Sequence, residues 1–225
     1  MNSFLELKNI SKTFNIEKKI RVLNELSYKF KKGKVYSLMG PSGSGKSTLL
    51  NLISLIDRPS NGSIKFNNNL INFNESNKND IFRAKKIGIV YQLNNLLPDF
   101  TALENLYLAS LSVSNNKKMA ISKAKKLLKK IGLSNRSDHY PSQLSGGESQ
   151  RISIARAIIN DPDIILADEP TGSLDMKTAK DIFKLLYNQK KPDRLIIFAT
   201  HNRFFAKKAD YLLELKDGSI KTANA

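Results

Sequence analysis

Cysteine is absent from all 225 residues. That excludes a disulfide framework, a thiolate metal site and a cysteine nucleophile, and it fits a reducing compartment. Long hydrophobic runs are missing too: no window approaches 18 consecutive apolar residues, so no membrane-spanning helix is expected. Met1 to Glu6 lacks a basic stretch followed by an apolar one, so no secretory leader is expected. The chain is therefore expected to be soluble and cytoplasmic, with a partner holding it wherever it works at a membrane. No internal repeat or heptad array is present.

Acidic residues are few. Twenty Asp and Glu face 37 Lys and Arg, giving a net charge of +17 and a pI near 9.9. Such a balance raises nucleic acid or an anionic membrane as partners. Lysine carries most of it, however, alongside abundant asparagine and isoleucine, and no basic stretch is interleaved with aromatics as a stacking platform requires. The charge is read as compositional drift on solvated faces, and no nucleic-acid partner is expected. A pull toward an anionic leaflet of about 1 kcal/mol per nearby lysine is compatible with that reading. At 40% apolar content, a chain of this length buries one sizeable core and can carry a modest helical insertion.

The most informative stretch is Gly40-Pro41-Ser42-Gly43-Ser44-Gly45-Lys46-Ser47-Thr48, set between the apolar runs Val35 to Met39 and Leu49 to Ile56. That order predicts strand, glycine loop, helix. A nucleoside triphosphate is a dense cluster of anionic oxygens, so its cradle needs many N–H donors and few obstructing Cβ atoms. The helix N-terminus adds unpaired N–H groups and a dipole worth roughly 0.3 to 2 kcal/mol toward an anion. Lys46 is placed to reach the β and γ phosphates, and Ser47 to offer its hydroxyl to Mg²⁺.

Downstream, Ile164 to Ala167 is a fully apolar run of the kind found in a parallel strand covered on both faces, and it delivers Asp168 and Glu169 at its carboxyl end. Asp168 suits a metal, and Glu169 suits the water that attacks the γ-phosphate, a role worth ~10² to 10⁴ in rate. Gln92 ends the Ile87 to Tyr91 strand and can touch both metal and water. His201 ends the Leu195 to Ala199 strand and can donate to the γ-phosphate. Phe14 can stack on adenine or serve as an ordinary core ring. His139 reads as a loop residue with no chemical role.

Ser145-Gly146-Gly147 forms a second donor-rich turn, ahead of a helix expected over Ser149 to Ile159. One nucleotide loop with two such nests leaves the second idle or serving a nucleotide held by another copy. Elsewhere, extended stretches are expected at Phe4 to Leu7, Arg21 to Leu23, Leu26 to Phe30 and Ser63 to Phe66. Asn67 to Asn79 reads as a loop. Thr101 and Glu104 form a capping box for a helix to about Ala109. Ala120, Ala124, Leu127, Leu128 and Ile131 give Lys117 to Ile131 one buried stripe. A helix to about Gln189 follows Asp175, and a hairpin around Asp217-Gly218 closes the chain.

These motifs, in this order and over Phe4 to Ile220, resemble the nucleotide-binding subunits of ATP-binding cassette (ABC) transporters. The resemblance identifies Gly40 to Thr48 with Walker A, Gln92 with the Q-loop, Leu144 to Glu148 with the signature, Ile164 to Glu169 with Walker B, Ser173 to Asp175 with the D-loop and His201 with the switch histidine. It implies an α/β P-loop NTPase with a mixed sheet core, an antiparallel β subdomain and an inserted helical subdomain. Residues 1–92 and 145–225 would form the core with its β subdomain, and 93–144 the helical insertion. It further implies ATP and Mg²⁺ as cofactors, with Ser47, Gln92 and Asp168 at the metal, and adenine on Phe14. A head-to-tail homodimer is implied, with Ser145, Gly146, Gly147 and Asp175 of one copy reaching the other copy's nucleotide.

Within the family, Leu96 to Asn105 is similar to the matching segment in ATPases of lipoprotein-releasing systems. Transmembrane permease subunits would then be the partners, on the cytoplasmic face of the inner membrane, with the cargo lipoprotein touching only the permease. ATPases of macrolide or peptide exporters and of cell-division complexes are the alternatives, sharing Ala167 to Gly172. Asn202, Ser149 and Ser173 depart from the family's usual residues without removing a chemical group.

Overall fold

The computed structural model describes residues 4–15 and 19–223. In chain order its strands are β1 (Leu5–Asn15), β2 (Lys19–Phe30), β3 (Val35–Met39), β4 (Asn61–Phe66), β5 (Asn69–Leu70), β6 (Ile87–Val90), β7 (Ile164–Asp168), β8 (Leu195–Ala199), β9 (Tyr211–Lys216) and β10 (Ser219–Ala223). Its helices are α1 (Lys46–Ile53), α2 (Ser76–Lys86), α3 (Ala102–Leu111), α4 (Lys117–Lys130), α5 (Gly146–Ile158), α6 (Met176–Tyr187) and the short α7 (Arg203–Ala206).

The apolar runs Val35 to Leu38, Ile164 to Ala167 and Leu195 to Ala199 are buried along their length, which is why they pair in parallel at the centre of one sheet rather than at an edge. That six-stranded sheet runs β10-β9-β3-β8-β7-β6, and only the β9–β10 hairpin breaks its parallel sense. A second, antiparallel sheet runs β2-β1-β4-β5. The fold is therefore α/β with a mixed sheet and an antiparallel sheet, as the family resemblance implied.

One apolar cluster fills the space between the two sheets around α1, joining Leu5, Leu7 and Ile64 to Leu38, Leu52 and Ile197. A second covers the opposite face of the mixed sheet with α5 and α6, through Ile154, Ile165, Ile182 and Phe198. A third joins α3, α4 and α5 through Leu106, Ala124, Leu128 and Ile152. Burial of a leucine-sized side chain contributes roughly 1.5 to 3 kcal/mol, so each cluster can hold its layer. The sheet ends carrying Met39, Asp168 and Ala199 thus open on one side, where ligands of such sheets sit.

Three expectations need correction. The separate N-terminal extended stretches are one long hairpin, β1 with β2, interrupted by register shifts near Ile10 and Lys12. Asn9 and Glu25 take left-handed backbones (φ 51° and 48°), and Ser11 Oγ accepts the Glu25 N–H at 3.0 Å, which are the marks of bulges that scramble alternation. Asn67 to Asn79 is not a loop throughout: Asn67 and Asn68 turn through the left-handed region into β5, and α2 starts at Ser76. No residue of α2 is fully buried, so it shows no apolar stripe; Phe82 merely leans on Phe66, ring centres 5.1 Å apart. Finally, α5 begins at Gly146, ahead of Ser149, because Ser145 and Glu148 form a capping box that overrides the poor helix propensity of two glycines.

Candidate nucleotide site and a second glycine nest

The loop from Gly40 to Gly45 has to turn the end of β3 directly into α1. Gly40 sits at φ 151°, and a Cβ there would lie 2.4 Å from the Leu215 carbonyl oxygen and 2.7 Å from Ser44 Oγ. Gly45 sits at φ 98°, with Val22 Cγ1 2.8 Å from where a Cβ would be. Only glycine closes this loop without displacing its neighbours. Gly45 caps α1 with no side-chain acceptor, and the first turn of α1 holds no acid, so its leading N–H groups keep their capacity for an anion.

A cavity of about 440 Å³ opens over this loop, lined by Val22, Ser42, Gly43, Gly45, Lys46, Ser47, Thr48, Gln92, Asp168, Glu169 and His201. Lys46 Nζ donates to the Gly40 and Pro41 carbonyl oxygens at 2.9 and 3.0 Å, which folds the ammonium over its own loop. Glu169 turns through a left-handed backbone (φ 45°), its N–H bonded to the Ala199 carbonyl at 3.0 Å. Its Oε1 lies 3.0 Å from His201 Nδ1, while Oε2 is buried with no partner. A buried carboxylate oxygen without a donor is costly unless a water or ligand supplies one. The nucleophilic water that Glu169 was expected to orient would do so.

Magnesium fits the donor set. Ser47 hydroxyl, Asp168 carboxylate and the Gln92 amide oxygen are hard oxygen ligands lining one cavity. Among the described residues no group of three His, Cys, Asp or Glu could hold a metal alone. One carboxylate beside a phosphate cradle is how Mg²⁺ is commonly held, with waters and substrate oxygens completing its shell.

Other expected residues lie elsewhere. Pro41 and Gly40 face a neighbouring cavity of about 430 Å³ that also touches His201. Ser44 points inward, its Oγ buried and unpartnered. Phe14, half-buried on β1 opposite Ile20, does not line the nucleotide cavity; Lys12 Nζ sits 4.9 Å from its ring centre and pairs with Asp57 at 2.6 Å. His139 remains in a loop, 3.3 Å from Arg136. Ser145, Gly146, Gly147 and Asp175 come together in a cavity of their own, about 430 Å³, with Glu148, Arg151, Ser173, Leu174 and Thr178. Asp175 caps α6, accepting the Lys177 and Thr178 N–H groups at 3.0 and 3.1 Å, and those bonds hold its carboxyl below the usual aspartate range.

A family profile described as ABC transporter matches residues 23–172. The chain belongs to the ABC transporter family. This cassette is 42% identical over 221 residues to the lipoprotein-releasing system ATP-binding protein LolD of Rickettsia bellii, covering 97% of the chain and 98% of that protein. It is 43% identical over 224 residues to LolD of Wigglesworthia glossinidia brevipalpis, covering 98% and 97%. The dimeric post-hydrolysis structure of the ATP-binding cassette MJ0796, bound to ADP and Pi, superposes with a TM-score of 0.89 at 36% identity, over 98% of this chain and 99% of that one. The protein is an ABC ATPase.

Two contributors to the cassette's site left no trace in the motifs. Val22 lines the nucleotide cavity from β2, where the sequence read as plain strand. Arg156 on α5 donates to the Asn95 and Asn94 carbonyls at 2.7 and 2.8 Å, holding both residues in left-handed turns just after Gln92. A lone arginine on a helix gives no local signal of what it grips. Asn105 was readable only as part of the Leu96 to Asn105 resemblance. Buried on α3, it accepts the Leu97 N–H at 2.8 Å and donates to the carbonyls of Leu97, Phe100 and Thr101.

Proposed function

We propose that this chain is the ATP-hydrolysing subunit of a lipoprotein-releasing ABC complex, a peripheral protein on the cytoplasmic face of the inner membrane. It would act as a homodimer on transmembrane permease subunits that alone touch the cargo. What supports the lipoprotein reading is identity above 40% to several LolD proteins along nearly the whole chain. What supports the dimer is the separation of the two nests. The lysine loop and the Ser145 turn line different cavities, so the second has no nucleotide of its own. No helix among the described residues is long and apolar enough to cross a membrane, so the permease must be a separate chain or segment.

Residues 1–92 and 145–225 make the catalytic core with its antiparallel sheet, and 93–144 the helical insertion. In this reading the loop N–H groups and Lys46 cradle the β and γ phosphates, with Lys46 exchanging its two carbonyl partners for phosphate oxygens. Ser47, Asp168 and Gln92 would hold Mg²⁺, which when bound supplies charge neutralisation to the phosphates. Glu169 Oε2 takes the hydrogen bond of the attacking water, and His201 keeps the other oxygen of that carboxylate in place. The Ser145–Gly147 N–H groups of the second copy close over the γ-phosphate.

The test is affinity isolation of the tagged protein from detergent-solubilised membranes, followed by ATP-driven release of lipoprotein from the reconstituted complex. The expected result is a co-isolated permease whose complex releases lipoprotein only with ATP. A complex that turns over ATP on macrolides or peptides and leaves lipoproteins in place would overturn the assignment.

A further inference from the structure

Arg136 lies in the polar turn between α4 and α5 and lines neither cavity. Its Nε donates to Glu148 Oε1 at 2.8 Å. Glu148 Oε2 accepts the Ser145 N–H at 2.8 Å, and the Glu148 N–H returns a bond to Ser145 Oγ at 3.2 Å. These bonds, Arg136 first, hold the Glu148 acid down at about 2. An acid in the first turn of α5 stands beside N–H groups meant for phosphate, and a loose carboxylate there would compete for them or repel the ligand. With both oxygens occupied and a guanidinium beside it, Glu148 does neither.

The turn carrying Arg136 is also tied to α3. Ala102 N–H donates to the His139 carbonyl at 2.8 Å, and Leu103 N–H to the Ser137 carbonyl at 2.9 Å. Arg136 Nη1 lies 3.3 Å from His139 Nε2, a hydrogen bond in the tautomer that leaves Nε2 unprotonated, since a guanidinium accepts nothing. The guanidinium thus joins the His139 side chain to Glu148, and the backbone of the turn that carries it is bonded to the start of α3.

We propose that Arg136 is a positioning residue for the Ser145–Gly147 nest, orienting Glu148 so that the nest accepts the phosphate of a nucleotide held by a second copy. This rests on the homodimer reading above. The experiment follows ATP-driven dimer formation by light scattering in a Glu169→Gln parent, alongside binding of a fluorescent ATP analogue to monomer at low protein concentration.

Arg136→Ala raises the ATP needed for half-maximal dimer by about tenfold, the scale of one lost charge-assisted bond. Its monomer binds the analogue as the parent does, because the lysine-loop cavity is untouched. Arg136→Lys recovers part of the loss, keeping the charge but not the planar fork. Adding Glu148→Gln to Arg136→Ala costs no more than the larger single effect. Dimerisation of Arg136→Ala at the parent's ATP concentration overturns the proposal, as does a parallel loss of monomer binding. A parent that stays monomeric at saturating Mg-ATP overturns the dimer reading and this role together, which separates that failure from the others.

Discussion

The chain builds two glycine turns at helix N-termini and equips them differently. At Gly45 the helix has no side-chain cap, no acid in its first turn and a lysine folded over the loop. At Ser145 the helix caps itself through Glu148, carries that acid in its first turn and borrows an external arginine to fix it. The first is a receptor complete in one copy, supplying both cation and donors. The second lines a cavity whose one basic residue is Arg151 and which lacks Asp168, Glu169 and His201, so in the proposed reading it would grip a phosphate without processing it. Glycine content alone does not make a catalytic cradle; the placement of charge around it does.

Breaking the site around the first turn has the larger consequence. Glu169→Gln lowers ATP turnover ~10²- to 10⁴-fold in a steady-state phosphate-release assay while leaving nucleotide binding in place. Lys46→Ala lowers it ~10²- to 10³-fold and also weakens binding of a fluorescent nucleotide to the monomer, which no change at the second turn does. Ser145→Ala sharpens the contrast: monomer binding stays as it was, turnover falls, and loss of the cap costs about 1 kcal/mol. Differential scanning calorimetry would show that cost as a melting point lower by roughly 2 to 4 °C.

The smallest effect lies in acid. Glu148 is held at about 2, below the ordinary 4.5, so its contribution to stability is full above 4.5 and is lost as pH falls toward 2. Glu148→Gln removes that share. Melting temperatures of the two proteins should therefore differ at pH 7 and converge between pH 4.5 and 2; a constant difference across that range would assign the effect to packing.

The parallel strands were legible because they are continuous apolar runs: the Leu195 to Ala199 boundaries match β8 residue for residue. Thr101 with Glu104 announced α3 for the same local reason, and both halves of that capping box form. The nucleotide cavity was legible because its chemistry is concentrated at strand ends and in one loop. What escaped depends on contacts between distant segments. The bulges at Asn9 and Glu25 hid one hairpin behind broken alternation, and exposed α2 lacked a stripe to betray it. Val22, Arg136 and Arg156 matter through partners that no spacing encodes. Phe14, which the family resemblance sets against adenine, has Lys12 Nζ 4.9 Å from its ring centre and lies outside the lining of the cavity over the lysine loop, so adenine stacking there stays a proposal.

The claim on which everything turns is that each nucleotide uses the lysine loop of one copy and the Ser145 turn of the other. Mixing two inactive variants tests it directly. Lys46→Ala destroys the first turn, and Gly146→Asp places a carboxylate in the second, at a position where a Cβ meets only Leu174 at 3.5 Å. In a mixed dimer one site combines both defects and the other has none, so the account predicts ATP turnover well above the sum of the two variants assayed apart. A mixture no more active than that sum would contradict it.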